Sequence, residues 1–117
     1  MVVDSTVDAG ADQLFHALSD ATRRDIVKRS LVGESSVSNL ARLYPMSFAA
    51  VQKHVAVLCA AGLVNKRRSG REQLVSSDVG ALRRVGALLD QFEEIWRGRM
   101  ERLDDLLNNQ ADKGEQR

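Results

Sequence analysis

The residues of this 117-residue chain whose types and spacing could do chemistry lie between Ser47 and Arg71, in SFAAVQKHVAVLCAAGLVNKRRSGR. Val51, Val55 and Leu58 fall at i, i+4 and i+7, the spacing of one buried helical stripe. Successive residues turn by about 100° on a helix, so Ala49, Gln52, Lys53, Ala56 and Ala60 go to the opposite side. Further on, Lys66, Arg67, Arg68 and Arg71 place four bases within six positions around the turn pair Ser69-Gly70. The chemistry of such a set is recognition rather than bond making. Long donors flanked by small alanines suit base edges, and clustered guanidinium groups suit phosphate. The plainer readings are a solvated helix and a hairpin tip charged against edge-to-edge pairing. The helix alone fits either reading, whereas four bases exceed what edge protection needs.

The net charge of +1 conceals an uneven distribution. Met1 to Thr22 carries −4, Arg23 to Arg71 carries +8 and Glu72 to Arg117 carries −3. A basic middle between acidic ends implies a polyanion-facing surface. With 44% hydrophobic and 28% charged residues the chain falls in the soluble globular class, at the size of one domain. No apolar run approaches the length of a bilayer span, so no membrane partner is expected. The acidic start MVVDSTVDAGAD lacks the basic region of a secretory signal. One cysteine, Cys59, cannot form an internal disulfide, which suits a cytoplasmic location. No Gly-rich phosphate loop, supported Cys–His constellation or metal triad is present. The chain therefore reads as no enzyme and as needing no cofactor.

Several helices must carry these residues. Residues 1–10 lack periodicity and are expected to form a disordered arm, with one folded domain over 11–109. Leu14, Phe15 and Leu18 mark a short first helix. Asp20 is the N-cap of a second, with Ile26, Val27, Ser30 and Leu31 inward and an end near Gly33. Ser35 or Ser36 caps a third, short helix with Val37, Leu40 and Ala41, which Pro45 breaks. Ser47 caps the fourth, ending at Gly62. Leu63 to Ser77 then reads as a hairpin turning at Ser69-Gly70.

From Asp78 a long helix is predicted to run to about Asn109, followed by a disordered tail over 110–117. Leu82, Leu89, Trp96 and Leu103 lie seven apart; Val85, Phe92 and Leu106 fill the companion register, broken at Arg99. Leu88, Ile95 and Leu107 form a second stripe. Such a heptad pattern argues for packing against another long helix. A second copy of the chain supplies one, which makes a homodimer; packing on the chain's own first helix is the competing reading. Phe92 and Trp96 on this stripe read as dimer core rather than a ligand platform. Asp90, Glu93 and Glu94 read as a solvated face.

Mainly α-helical, with a small β-hairpin and a long C-terminal dimerisation helix, this is the element order of a winged helix-turn-helix. The segments LFHALSDATRRDIVKRSL and SVSNLARLYPMSFAAVQKHVAVLCAAGLVNKRRSGREQL resemble the ArsR/SmtB family of bacterial transcriptional repressors. They are most similar to its metal-independent members, with an LSDPTRR opening and an S-x-x-A-V-S-K-H-L-x-x-L-x-x-A-G-L-V recognition helix. The resemblance runs from about Leu14 to about Leu107. It implies that Ser47, Gln52, Lys53 and His54 meet double-stranded DNA and that Arg67, Arg68 and Arg71 form the wing. It also implies a two-fold interface built from the first and last helices, with Leu14, Leu82, Val85, Leu89, Phe92, Trp96 and Leu103 in it. Ala21 and Ala49 stand where proline is common, and Gln52 replaces the usual serine. That change puts the operator sequence in question, not the fold. The family's metal sensors carry cysteines in the third helix or His and Asp pairs in the last; SVSNLAR has no cysteine and the last helix no histidine. His16, His54 and Cys59 are the only soft ligands, spread over different elements, so no metal site is expected. Cys59 reads as a small buried hydrophobe, with a thiol-responsive regulator as the alternative and a protein-interaction winged helix as another. The small-molecule effector is not legible.

Overall fold

The computed structural model describes residues 5–115, with side chains over 10–111. The elements are α1 (Ser5–Leu18), α2 (Ala21–Val32), β1 (Ser35–Ser36), α3 (Val37–Ala41), α4 (Phe48–Ala60), β2 (Val64–Ser69), β3 (Glu72–Ser77) and α5 (Val79–Glu115). The chain divides into two compact units, Met1–Val85 and Gly86–Arg117.

In the first unit α2, α3 and α4 each start where a short polar side chain accepts an orphan backbone N–H. The Asp20 carboxylate accepts from Arg23 N at 3.0 Å, Ser36 Oγ from Asn39 N at 3.1 Å and Ser47 Oγ from Ala50 N at 3.1 Å. The end of α4 is a Schellman motif: Leu63 N donates to Leu58 O at 2.9 Å and Gly62 N to Cys59 O at 3.0 Å. Gly62 stands at φ 78, a left-handed conformation that side chains with a Cβ resist. Leu58 and Leu63 bring their fully buried side chains to this joint.

The core gathers Leu14, Ala17, Ile26, Val27, Val37, Leu40, Val51, Val55, Leu58, Leu63, Val64, Val75 and Ala81, with Leu82 and Val85 of α5 packed against it. The sheet has the antiparallel order β1-β3-β2. The hairpin appears in the sequence, but β1 does not: two residues carry no periodicity, and only their partners Val75 and Leu74 define them as a strand. The turn also lies one residue later than expected. Ser69 pairs with Glu72, which leaves Gly70 and Arg71 as the turn, with Gly70 alone at positive φ (62°). That is the II′ arrangement, whose twist matches the strands it joins.

Several expectations need correction. The helix α1 starts at Ser5, within the arm expected to be disordered, and α5 continues to Glu115, into the expected tail. Neither stretch contains proline, and extending a formed helix adds a hydrogen bond for each residue fixed. Positions 1–4 and 116–117 of those two segments lie outside the described residues. Leu14 is only 7% exposed and belongs to this chain's own core, because α1 packs against α2 and α4. Leu31 is about half exposed. Ser30 takes the inner position beside it, its hydroxyl donating to Ile26 O at 2.7 Å.

In the second unit α5 is helical throughout its described length. Leu89, Phe92, Ile95, Trp96, Leu103, Leu106 and Leu107 are exposed along it. The residues expected at the interface therefore divide: Leu82 and Val85 serve the core, while Leu89, Phe92, Trp96 and Leu103 are open.

Candidate nucleic-acid interface

The inward stripe Val51, Val55 and Leu58 fixes the rotation of α4, and Gln52 and Lys53 are exposed on its outer side with Ala49, Ala56 and Ala60. Ser47 is exposed at the start of the helix, its hydroxyl engaged as the cap. Two side-chain networks hold this helix and the turn before it.

The first network centres on Arg23. Its Nε donates to Ala17 O at 2.7 Å and its Nη2 to His16 O at 3.0 Å, closing the carbonyl end of α1. Its Nη1 lies 3.2 Å from His54 Nδ1. A guanidinium can only donate, so Nδ1 accepts and Nε2 carries the ring proton. The Asp20 carboxylate lies 4.0 Å from the same nitrogen, and the His54 side chain is 21% exposed. His54 thus turns toward α1 and α2 rather than outward with Lys53. The backbone N–H of Arg23 holds the Asp20 carboxyl below its ordinary range, outweighing the desolvation that raises it. The second network ties the α3–α4 turn to α2. Tyr44 donates to Asp25 at 2.6 Å, and Arg29 donates to the same oxygen at 2.8 Å.

The wing places its cations differently from one another. Lys66 and Arg71 line a groove of about 380 Å³ together with Val37, Ser38, Phe48, Gln52, Val55, Glu72 and Gln73. Arg68 donates to Gly70 O at 3.3 Å across the turn. Arg67 makes two bonds to Glu34, Nε to Oε2 at 2.8 Å and Nη2 to Oε1 at 2.7 Å. That contact holds the Glu34 carboxyl below its usual range and raises Arg67. Lys66, Arg71 and Gln52 are therefore brought together; Arg67 and His54 are engaged elsewhere.

Three residues of this surface were not singled out in the sequence. Phe48 is half exposed and lies four residues before Gln52, a spacing that could have flagged it, since an aromatic edge can meet a thymine methyl. Ser38 reaches the groove from α3 and Glu34 reaches Arg67 from before β1; no local pattern marks either. Cys59 is half-buried, and that burial pushes its thiol up, with Lys66 acting weakly the other way. His54 and Cys59 both lie on α4, rather than on separate elements, and His16 on α1. Among the described residues no group of three or more His, Cys, Asp or Glu side chains converges. Among them, too, no helix is long and apolar enough to cross a membrane.

A helix-turn-helix of α3 and α4, a two-stranded wing and an exposed polar face on α4 define a winged helix-turn-helix protein. No profile of a known protein family matches the chain. It is 40% identical over 81 residues to the HTH-type transcriptional regulator Rv2034 of Mycobacterium tuberculosis, a match covering 69% of this chain and 76% of that protein. The crystal structure of an ArsR family transcriptional regulator superposes with a TM-score of 0.74 at 28% identity, covering 77% of this chain and 93% of the other. An ArsR-like transcriptional regulator from Rhodococcus sp. RHA1 gives a TM-score of 0.73 at 31% identity, covering 84% and 92%. The chain belongs to the ArsR family of HTH-type transcriptional regulators, and its first unit is a winged helix-turn-helix DNA-binding domain.

Proposed function

We propose that this regulator is a cytoplasmic homodimeric repressor that occludes a promoter by binding a pseudo-palindromic operator, without enzymatic activity and without a metal or cofactor. Gln52 and Lys53 read base edges in the major groove, Phe48 packs against a thymine methyl, and Arg68 and Arg71 hold phosphates or the adjacent minor groove. One observation carries the reading: the exposed pair Gln52 and Lys53 adjoins a groove whose far wall bears Lys66 and Arg71. A DNA backbone running between helix and wing meets donors on both sides.

Dimerisation rests on the second unit. The exposed apolar row of α5 is the kind of surface a second copy covers, because seven large apolar side chains along one helix stand open to water. A winged helix-turn-helix domain from Mycobacterium bovis, 21% identical with a TM-score of 0.64 over 80% of this chain, is described as homodimeric and supports the same arrangement. Two recognition helices then enter successive major grooves, roughly 34–36 Å apart.

The test is a salt titration of duplex binding followed by fluorescence anisotropy. Phosphate neutralisation releases counterions, so log K must fall linearly with log salt. Binding that is absent, or indifferent to salt, removes the reading. The operator itself comes from a genome-wide footprint of bound DNA.

A further inference from the structure

Along β2, successive side chains point to opposite faces of the sheet. Val64 is buried against the core, and Lys66, two residues on, lines the groove beside Gln52. Arg67 lies between Lys66 and Arg68 and so takes the other face. On that face it meets Glu34 through two parallel bonds, with 61% and 31% of the respective side chains exposed. Glu34 immediately precedes β1, and Arg67 shares one cross-strand row with Leu74 and Ser36. The bidentate pair therefore spans the sheet, from its outer strand β2 across β3 to the segment that leads into α3.

We infer that Arg67 is a positioning residue that fastens the wing through Glu34, and that Lys66 takes the phosphate-facing place beside Arg68 and Arg71. The inference rests on the DNA-binding reading above. A fork of two N–H groups filled by one carboxylate has a fixed direction, which sets the hairpin's angle to the recognition helix. Exposed pairs add little to overall stability, so this contact acts on the wing's placement rather than on folding.

The experiment uses the full-length chain, a fluorescein-labelled mixed-sequence duplex and a salt titration. Lys66→Gln should lower the salt slope by about one. Arg67→Gln and Glu34→Gln should each weaken binding several-fold at a given salt and leave the slope at the wild-type value. Combined, they should cost no more than either alone, as partners in one contact do. The exchange variant, Glu34→Arg with Arg67→Glu, should recover binding, because the pair is rebuilt with its charges reversed. The inference is overturned by a slope that drops by about one in Arg67→Gln, the mark of a lost phosphate contact. It is also overturned by tighter binding in Glu34→Gln, by an unchanged slope in Lys66→Gln, or by an exchange variant no better than the single ones. A wild-type chain without salt-dependent binding defeats the DNA-binding reading instead, so the two failures are distinct.

Discussion

Tyr44 stands in the turn between α3 and α4, and its hydroxyl donates to an Asp25 carboxylate that also receives Arg29. Burial, and then the bond to Asp25, push its pKa from 10.0 up to about 12. The folded value lies above the unfolded one, so folding favours the protonated phenol. The stability this adds is complete below pH 10 and is lost as pH rises through about 12. Tyr44→Phe should melt at a lower temperature at neutral pH and lose this alkaline decline; thermal unfolding across a pH series checks both. Curves that fall in parallel for the two proteins would detach Tyr44 from the effect. On the outer face of α4, Gln52→Ala should relax base preference at one operator position by about 1–3 kcal/mol, the worth of a bidentate adenine contact. In vitro selection with both proteins decides it, and identical preferences would leave Gln52 without a reading role.

The recognition helix is held by its ends as much as by its buried stripe. Leu58 contributes both a core side chain and the carbonyl that accepts from Leu63. Leu58→Ala should destabilise by about 2–5 kcal/mol, the usual range for a buried leucine, measurable as a lower urea midpoint. Much of this element was legible in the sequence, because Ser47 and Gly62 act within one helical turn of where they stand, as Asp20 does for α2. The outward placement of Gln52 and Lys53 was legible for the same reason. What was not legible acts over distance. The two residues of β1 become a strand only beside β3, Arg23 reaches His54 across 31 positions, and Arg67 reaches Glu34 across 33. The charge cluster from Lys66 to Arg71 was visible as a cluster; its division between two faces of a sheet was not. Leu14 and Leu31 show the same limit, since an amphipathic pattern marks a buried side without saying what buries it.

At the scale of the whole molecule, the exposed row on α5 makes assembly the quantity to measure. Phe92 and Trp96 are 58% and 57% exposed, so placing charge there disturbs no core of this chain. Phe92→Glu with Trp96→Glu should yield a folded monomer with weak operator affinity, read by light scattering and by circular dichroism. Dimers that persist would show that another surface joins the copies. The tip of the wing has a different consequence. Only Gly70 and Arg71 separate the paired strands, so few torsions remain to be frozen when a duplex arrives. Arrival is then a matter of diffusion and charge steering, with a rate that falls as salt rises and depends little on sequence. With the wing on the duplex as proposed, good and poor operators should be found about equally fast and differ in how long the protein stays, which stopped-flow association and dissociation rates on the two kinds of site check.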